Sequence, residues 1–320
     1  MQTVRYTPDS KALWDATVDA SRNGTFLFRR DYMDYHKDRF ADCSLLFLTD
    51  RGKCVACLPA NFKAAERRVE THGGLTYGGL VCTSEVTTAM ALDMLAAARE
   101  TYRRLGADTF IYKPVPHIYH TYPCEEELYA LFRAGAVLSA RAVSTAVDLT
   151  CARPLSALRK RKAAKARRAG LIVDDCRTGD AEAALADFWV ILTDVLATRH
   201  HTRPVHTLGE ASLLRSRFEE EMRLFVVRSP QGAVLAGCLA YVTPAVAHIQ
   251  YIAAGSEGRA CGALDLLFAT LIDGRFAGRR YLDFGISTEQ GGTLLNEGLI
   301  FQKEGFGGRA VCYDTYTIKL

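Results

Sequence analysis

AHIQYIAA (247–254), GSEGRACGA (255–263) and ALDLLFATLID (263–273) follow one another without a break, and their reading decides the fold. The first run is apolar, β-branched and aromatic, which predicts a strand. The second has three glycines in nine residues, and the third predicts a strongly apolar helix. Beyond them YLDFGI (281–286) reads as the next strand, GGTLLNEGLIFQKEGFGG (291–308) as a second helix with a glycine-rich stop, and VCYDTYTI (311–318) as a closing strand. A glycine loop between a strand and a helix start turns free backbone N–H groups toward one point, where the helix dipole also favours negative charge. The expected occupant is a phosphate. Neither Gly-x-Gly-x-x-Gly nor Gly-x-x-x-x-Gly-Lys-Ser/Thr occurs, which argues against a dinucleotide fold and a P-loop NTPase.

The order of these pieces resembles the core of the GNAT acyltransferases, and within them the FemAB/FemX-like branch with its acetyltransferase relatives. Arg259-Ala-Cys-Gly262-Ala-Leu264 fits the first half of the family's Arg/Gln-x-x-Gly-x-Gly/Ala loop. Phe301-Gln-Lys-Glu-Gly305-Phe306 looks like its aromatic-x-Lys-x-Gly-Phe helix end, and LNEGL (295–299) and KEGFGG (303–308) are closest to the FemAB-like branch. The resemblance implies that Ile252, Ala253 and Ala254 meet the pantetheine arm of acyl-CoA, acetyl-CoA before longer donors. It implies too that Gly258, Arg259, Gly262 and Ala263 hold the pyrophosphate.

Working outward, the N-terminal half echoes this unit. SLLFLTDRGKCVACLPANF (44–62) and RLFVVRSPQGAVLAGCLAYVT (223–243) are both strand, turn, strand with one apolar rhythm. The first is followed by GGLTYGGLVC (73–82), a helix over 84–106 and the strand DTFIYKP (108–114). From Leu46 to Phe110 is 64 residues and from Leu224 to Leu282 is 58, which a duplication explains. The expected fold is α/β, two tandem GNAT-like domains, each a mixed central sheet flanked by helices. Residues 1–150 form the structural or acceptor-side domain, and residues 151–320 the domain with the donor loop. In the first copy Ser84-Glu85 reads as a helix cap, with the Glu85 carboxylate where a phosphate would otherwise sit.

Composition sets the limits. Three hundred and twenty residues, 49% apolar and 24% charged, suit a soluble globular chain of two domains. No apolar run reaches a membrane span, and MQTVRYTPDSK lacks the core of a signal peptide, so no stable membrane insertion and a cytoplasmic location are expected. Ten scattered cysteines agree with reduced, buried thiols. Residues 159–168 carry seven positive charges, and removing those seven turns the net charge of +4 into −3. The whole segment LSALRKRKAAKARRAG (155–170) reads as a helix with a broadly solvated basic face. It attracts the phosphates of CoA, a diphosphate-bearing acceptor or tRNA equally well, and nothing points to DNA.

YKPVPHIYH (112–120), broken by prolines, reads as a surface loop or seam whose His117, Tyr119, His120 and Tyr122 either line an acceptor pocket or pack as an aromatic seam. ATRHHTRPVHT (197–207) offers Arg199, Arg203 and His206 as anion contacts. Adjacent His200 and His201 cannot readily bind one ion together, and no metal is expected.

Acyl transfer to an amine needs a base, a donor for the oxyanion and a route for the leaving group. The main chain of Gln250–Ala254 is the candidate oxyanion donor. Candidate bases are His248, which equally reads as a hydrogen-bonded core histidine, and Glu289, preferred because GISTEQGG lies just beyond a strand end. Gln250, Tyr251, Ser287, Asn296 and Lys303 are candidate substrate contacts. Phe301 stands where many GNATs place a tyrosine acid, so Tyr313 or Tyr251 is the candidate acid. The expected activity is transfer from acyl-CoA to an amino group of a small molecule or cell-envelope precursor. The alternatives are FemX-like aminoacyl transfer from tRNA to a peptide precursor, or a non-catalytic binding module on the same fold.

Overall fold

The computed structural model describes residues 1–177 and 180–320, and the side chain of His200 lies outside the described set. Contacts divide the chain into two compact units. One comprises Met1–Val143, Thr288–Leu294 and Cys312–Leu320; the other comprises Ser144–Ser287 and Leu295–Val311. The boundary falls near the expected residue 150, but two later segments, 288–294 and 312–320, go with the first unit.

In the first unit, Gln2–Arg5, Leu45–Leu48, Cys54–Leu58 and Val81–Cys82 form an antiparallel sheet. Ala41–Asp42, Asn61–Lys63, Arg68–Glu70, Thr109–Tyr112 and the end of Arg309–Lys319 follow one another in a second sheet. There Arg68–Glu70 and Thr109–Tyr112 run parallel, and Tyr316–Lys319 pairs antiparallel with Thr109–Tyr112. Helix Thr88–Arg104 buries Ala91, Met94, Leu95, Ala98 and Tyr102, a stripe at helical spacing, against this core. It starts four residues later than expected. Thr87, not Ser84-Glu85, is its cap, accepting from the Met90 N–H at 3.3 Å, while Glu85 pairs with Lys53 at the surface.

The second unit carries the decisive stretch. Its strands are β1 (Val137–Asp148, from Ser144 onward), β2 (Ile172–Asp175), β3 (Met222–Arg228), β4 (Val234–Val242), β5 (Val246–Ala254) and β6 (Tyr281–Ile286). Their order is β2-β3-β4-β5-β6-β1, and only β5 and β6 are parallel. Its helices are α1 (Ala157–Arg168), α2 (Ala181–His200), α3 (Leu208–Arg217), α4 (Ser256–Cys261), α5 (Ala263–Thr270) and α6 (Glu297–Glu304). Leu266, Leu267, Phe268 and Leu271 of α5 and its continuation share a core with Phe225, Cys238, Ile249 and Phe306. Helix α2 lies over β4 and β5, with Phe188 so close to Gly237 that a Cβ there would sit 2.9 Å from its ring.

Two expectations change here. The glycine segment 255–263 is not an open loop. It is the short helix α4 from Ser256 to Cys261, ended by Gly262 at φ +83°, after which α5 begins. The helix expected over 291–308 is confined to α6, capped by the Asn296 side chain on the Leu299 N–H at 3.0 Å. Among the described residues no helix is long and apolar enough to cross a membrane.

Candidate active site in the second unit

Strands β5 and β6 pair over only three residues, Val246–His248 against Tyr281–Asp283. Strand β5 then runs six residues further, Ile249 to Ala254, with no partner on that side among the described residues. A strand edge left open in this way offers a row of backbone N–H and C=O groups. On its other side β5 pairs with β4, and the register skips there. Leu239 faces Tyr251 and Ala240 faces Ile249, so Gln250 is an extra, bulged residue. Bulges bend a strand and re-aim its groups, and they gather beside active sites. The open edge ends at Gly255 and α4.

His248 stands at the last paired position, where the strands part. Its Nδ1 lies 2.7 Å from Asp283 Oδ2. The carboxylate is fully buried, and its Oδ1 accepts from Ser144 Oγ and from the Gly285 N–H at 3.3 Å. A buried carboxylate held by two donors orients the imidazole, with Nδ1 donating and Nε2 as the basic nitrogen. Gly285, at φ +75°, makes room for the ring: a Cβ there would be 3.4 Å from His248 Cε1.

Lys303 reaches the same end of β6 from α6. Its Nζ donates to the Gly285 carbonyl at 2.8 Å and the Ile286 carbonyl at 2.9 Å. Burial pulls its pKa down to about 8, against the opposing pull of the Asp283 charge. Ser287, next along the chain, is buried, and its Oγ has no hydrogen-bond partner.

The remaining expected residues are placed as follows. Ile252 is half-buried and Ala253 and Ala254 are buried on the unpaired part of β5. Gly258 and Gly262 are small because backbone lies against them. A Cβ on Gly258 would strike the Leu235 carbonyl, and one on Gly262 would sit 2.9 Å from that of Lys162. Arg259 folds back, its Nη1 donating to the Ala254 carbonyl at 2.6 Å, and Ala263 is packed in the core.

Tyr251 is buried, its hydroxyl 2.6 Å from His206 Nδ1 and 3.2 Å from the His206 N–H, and its ring meets Trp189 edge-on. His206, expected as an anion contact, is buried and bonded to this hydroxyl. Burial also pushes the Tyr251 hydroxyl pKa up, which makes it a reluctant acid. The Asn296 side chain is used as a helix cap. Glu289 and Tyr313 belong to the first unit. There Glu289 is exposed, and the Tyr313 hydroxyl is 2.8 Å from that of Tyr119. The second unit therefore does not gather them with His248. Phe301 is 67% exposed.

The basic helix α1 packs beside α4 and α5, Lys165 Nζ reaching the Ala260 carbonyl at 2.8 Å. Its face is not solvated throughout, as expected from sequence: Arg159 is buried in a 2.7 Å ion pair with Asp265 and under the Phe306 ring. Lys160, Arg161, Arg167 and Arg168 remain exposed. Among the described residues no three His, Cys, Asp or Glu side chains are grouped to hold a metal ion.

Sequence reasoning missed Asp283 and Ser144. The signal was a carboxylate inside the apolar strand YLDFGI, a placement that requires buried partners.

The parallel pair thus parts at a histidine and leaves an open strand edge that leads into a helix start. Residues 157–290 match the family model described as an acetyltransferase (GNAT) domain. That match spans less than half of the chain, and it assigns a GNAT-type acetyltransferase domain to residues 157–290. In fold it is FemX-like: FemX superposes with a TM-score of 0.71 at 12% identity, over 100% of this chain and 98% of that one. The C-terminal domain of a putative lysylphosphatidylglycerol synthetase from Agrobacterium fabrum gives 0.61 at 17%, over 96% and 92%. L-PGS from Bacillus licheniformis gives 0.62 at 11%, over 98% and 92%. At these identities the likeness is one of fold. No curated protein matches the chain.

Proposed function

We propose that the second unit binds acyl-CoA along the open edge of β5 and transfers the acyl group to an amine, with His248 as general base. The observation that carries this reading is the parting of β5 from β6 at His248, after which the unpaired edge of β5 runs to Ala254 and on to Gly255 and α4. The fit is physical. Backbone groups on the unpaired side of Ile252 and Ala253 are available to an amide-bearing arm, and the first-turn N–H groups of α4 and the exposed lysines and arginines of α1 to phosphates. Gly258 and Gly262, with Arg259 and Ala263, keep α4 and α5 in place for that contact rather than supplying side chains to it.

Acyl-CoA supplies an activated thioester. His248 Nε2 takes the proton of the attacking amine, and Asp283 steadies the imidazolium that results. Main-chain N–H groups near the Gln250 bulge receive the charge that develops on the carbonyl oxygen. A thiol of pKa about 8.5 leaves as a thiolate, so the exposed Phe301 is no obstacle. Gln250, Ser287 and Lys303 line the approach of the acceptor in this reading, an amine of a small molecule or envelope precursor. The first unit serves as the structural or acceptor-side domain.

A second reading, aminoacyl transfer from tRNA, draws on the exposed charges of α1 and on the FemX-like fold. Calorimetric titration with CoA and acetyl-CoA, beside native mass spectrometry with bulk tRNA, separates the two. Micromolar CoA binding that Gly258→Trp abolishes supports the first. Retention of tRNA without CoA binding supports the second, and silence from both removes each.

A further inference from the structure

Away from His248 and Asp283, the second unit has a solvent-open cavity of about 370 Å³ lined by Leu149, Thr150, Leu271, Ile272, Phe276 and Arg279, among others. We propose that this cavity is a second binding site, for a small monocarboxylate with an apolar body. It is independent of which donor the enzyme uses.

Three observations support it. Half of the lining residues are aliphatic or aromatic, and the volume is that of sites that take small organic ligands. The polar groups there are already engaged, with one exception. Arg280 Nε lies 3.3 Å from Asp148 and its guanidinium lies 4.9 Å from the Tyr281 ring centre, while Thr150 Oγ1 donates to Asp148 at 2.6 Å. Arg279 Nε, in contrast, is buried and has no hydrogen-bond partner, and Arg279 has no ion-pair partner among the described residues. A buried guanidinium N–H without an acceptor is costly, and a carboxylate is the planar anion whose two oxygens match that fork.

The wall is also irregular in the way binding sites are. Helix α5 runs into a π-turn over Leu271–Arg275, with Asp273 non-helical and Gly274 at φ +112°, and Gly278 follows at φ +81°. Such turns in helices recur at functional positions. No packing need explains either glycine, since a Cβ on each would meet nothing within 4 Å.

The test is calorimetric titration of the full chain with hexanoate, 1-hexanol, hexylamine and inorganic phosphate, with and without saturating CoA. Hexanoate is expected to bind one to one, unaffected by CoA, with 1-hexanol and hexylamine at least tenfold weaker. Arg279→Gln should weaken hexanoate at least tenfold. Ala277→Trp, a substitution at an exposed lining position that fills the cavity and keeps Arg279, should abolish binding. Should Arg279→Gln not fold, Ala277→Trp carries the same decision. No hexanoate binding, binding unchanged in Ala277→Trp, displacement by CoA, or phosphate binding in place of hexanoate each overturns the proposal. A failure here leaves the donor assignment intact, because that rests on CoA binding and on His248.

Discussion

His248 has its Nδ1 fixed by a buried carboxylate, so the imidazole is set in one tautomer before any substrate arrives. His248→Gln keeps a polar side chain of similar reach but no base. It is expected to lower kcat/KM by about 10²- to 10⁴-fold while leaving the melting temperature nearly unchanged, measured with acetyl-CoA and an amine acceptor panel. Were Glu289 the base instead, Glu289→Gln would give that loss and His248→Gln would not. The first unit offers a second residue-scale test. Glu127 is buried beside Tyr112, accepting from the tyrosine hydroxyl and from the Leu80 N–H at 2.9 Å, and burial pushes its pKa up to about 8. The folded chain therefore holds a proton there that the unfolded chain releases near its ordinary value of 4.5. Stability falls as pH rises between those limits. Urea unfolding at pH 5 and pH 8.5 should show that decline in the wild type and a shallower one in Glu127→Gln. Sequence reading reached His248 as a candidate because histidine in an apolar strand is visible. It passed over Asp283, because a carboxylate's role depends on partners such as Ser144, 139 positions away in the chain.

Elements were legible where periodicity was strong. The strand of 247–254, the hairpins, the basic helix and the closing strand all appear close to their expected bounds. The glycine segment was not, since glycine lowers helix propensity and its tertiary reason is invisible in sequence. Gly258 and Gly262 let α4 and α5 approach the carbonyls of Leu235 and Lys162. Gly262 also sits at φ +83°, where alanine is strained. Gly262→Ala is expected to cost about 1–3 kcal/mol, read by urea denaturation, with a smaller loss for Gly255→Ala, whose nearest neighbour is 3.6 Å away. The Arg159–Asp265 pair joins α1 to α5 with both side chains about nine-tenths buried. Removing one partner strands a buried charge, so Asp265→Ala should destabilise by about 3–5 kcal/mol. The basic run thus divides its labour: Arg159 fixes the helix, and the exposed charges are left for a polyanion.

At the scale of the whole molecule, contacts divide the chain into two compact units, with segments 288–294 and 312–320 belonging to the first. Strand pairing is non-local, so no run of residues by itself announces that 312–320 joins the unit formed by 1–143. In that unit Tyr316–Lys319 supplies the partner of Thr109–Tyr112. A fragment of residues 1–143 is expected to lack a cooperative thermal transition, and the same fragment with residues 312–320 attached through a flexible linker to recover one. Equal melting of both fragments would show that the returning strand is dispensable.

That returning strand also bears on birth order. During synthesis at about 5–20 residues per second, the first lobe must wait on the order of ten to thirty seconds for its missing strand, while the second lobe's core emerges in between. The early lobe therefore completes its sheet only once residues 312–320 have emerged, long after residues 1–143.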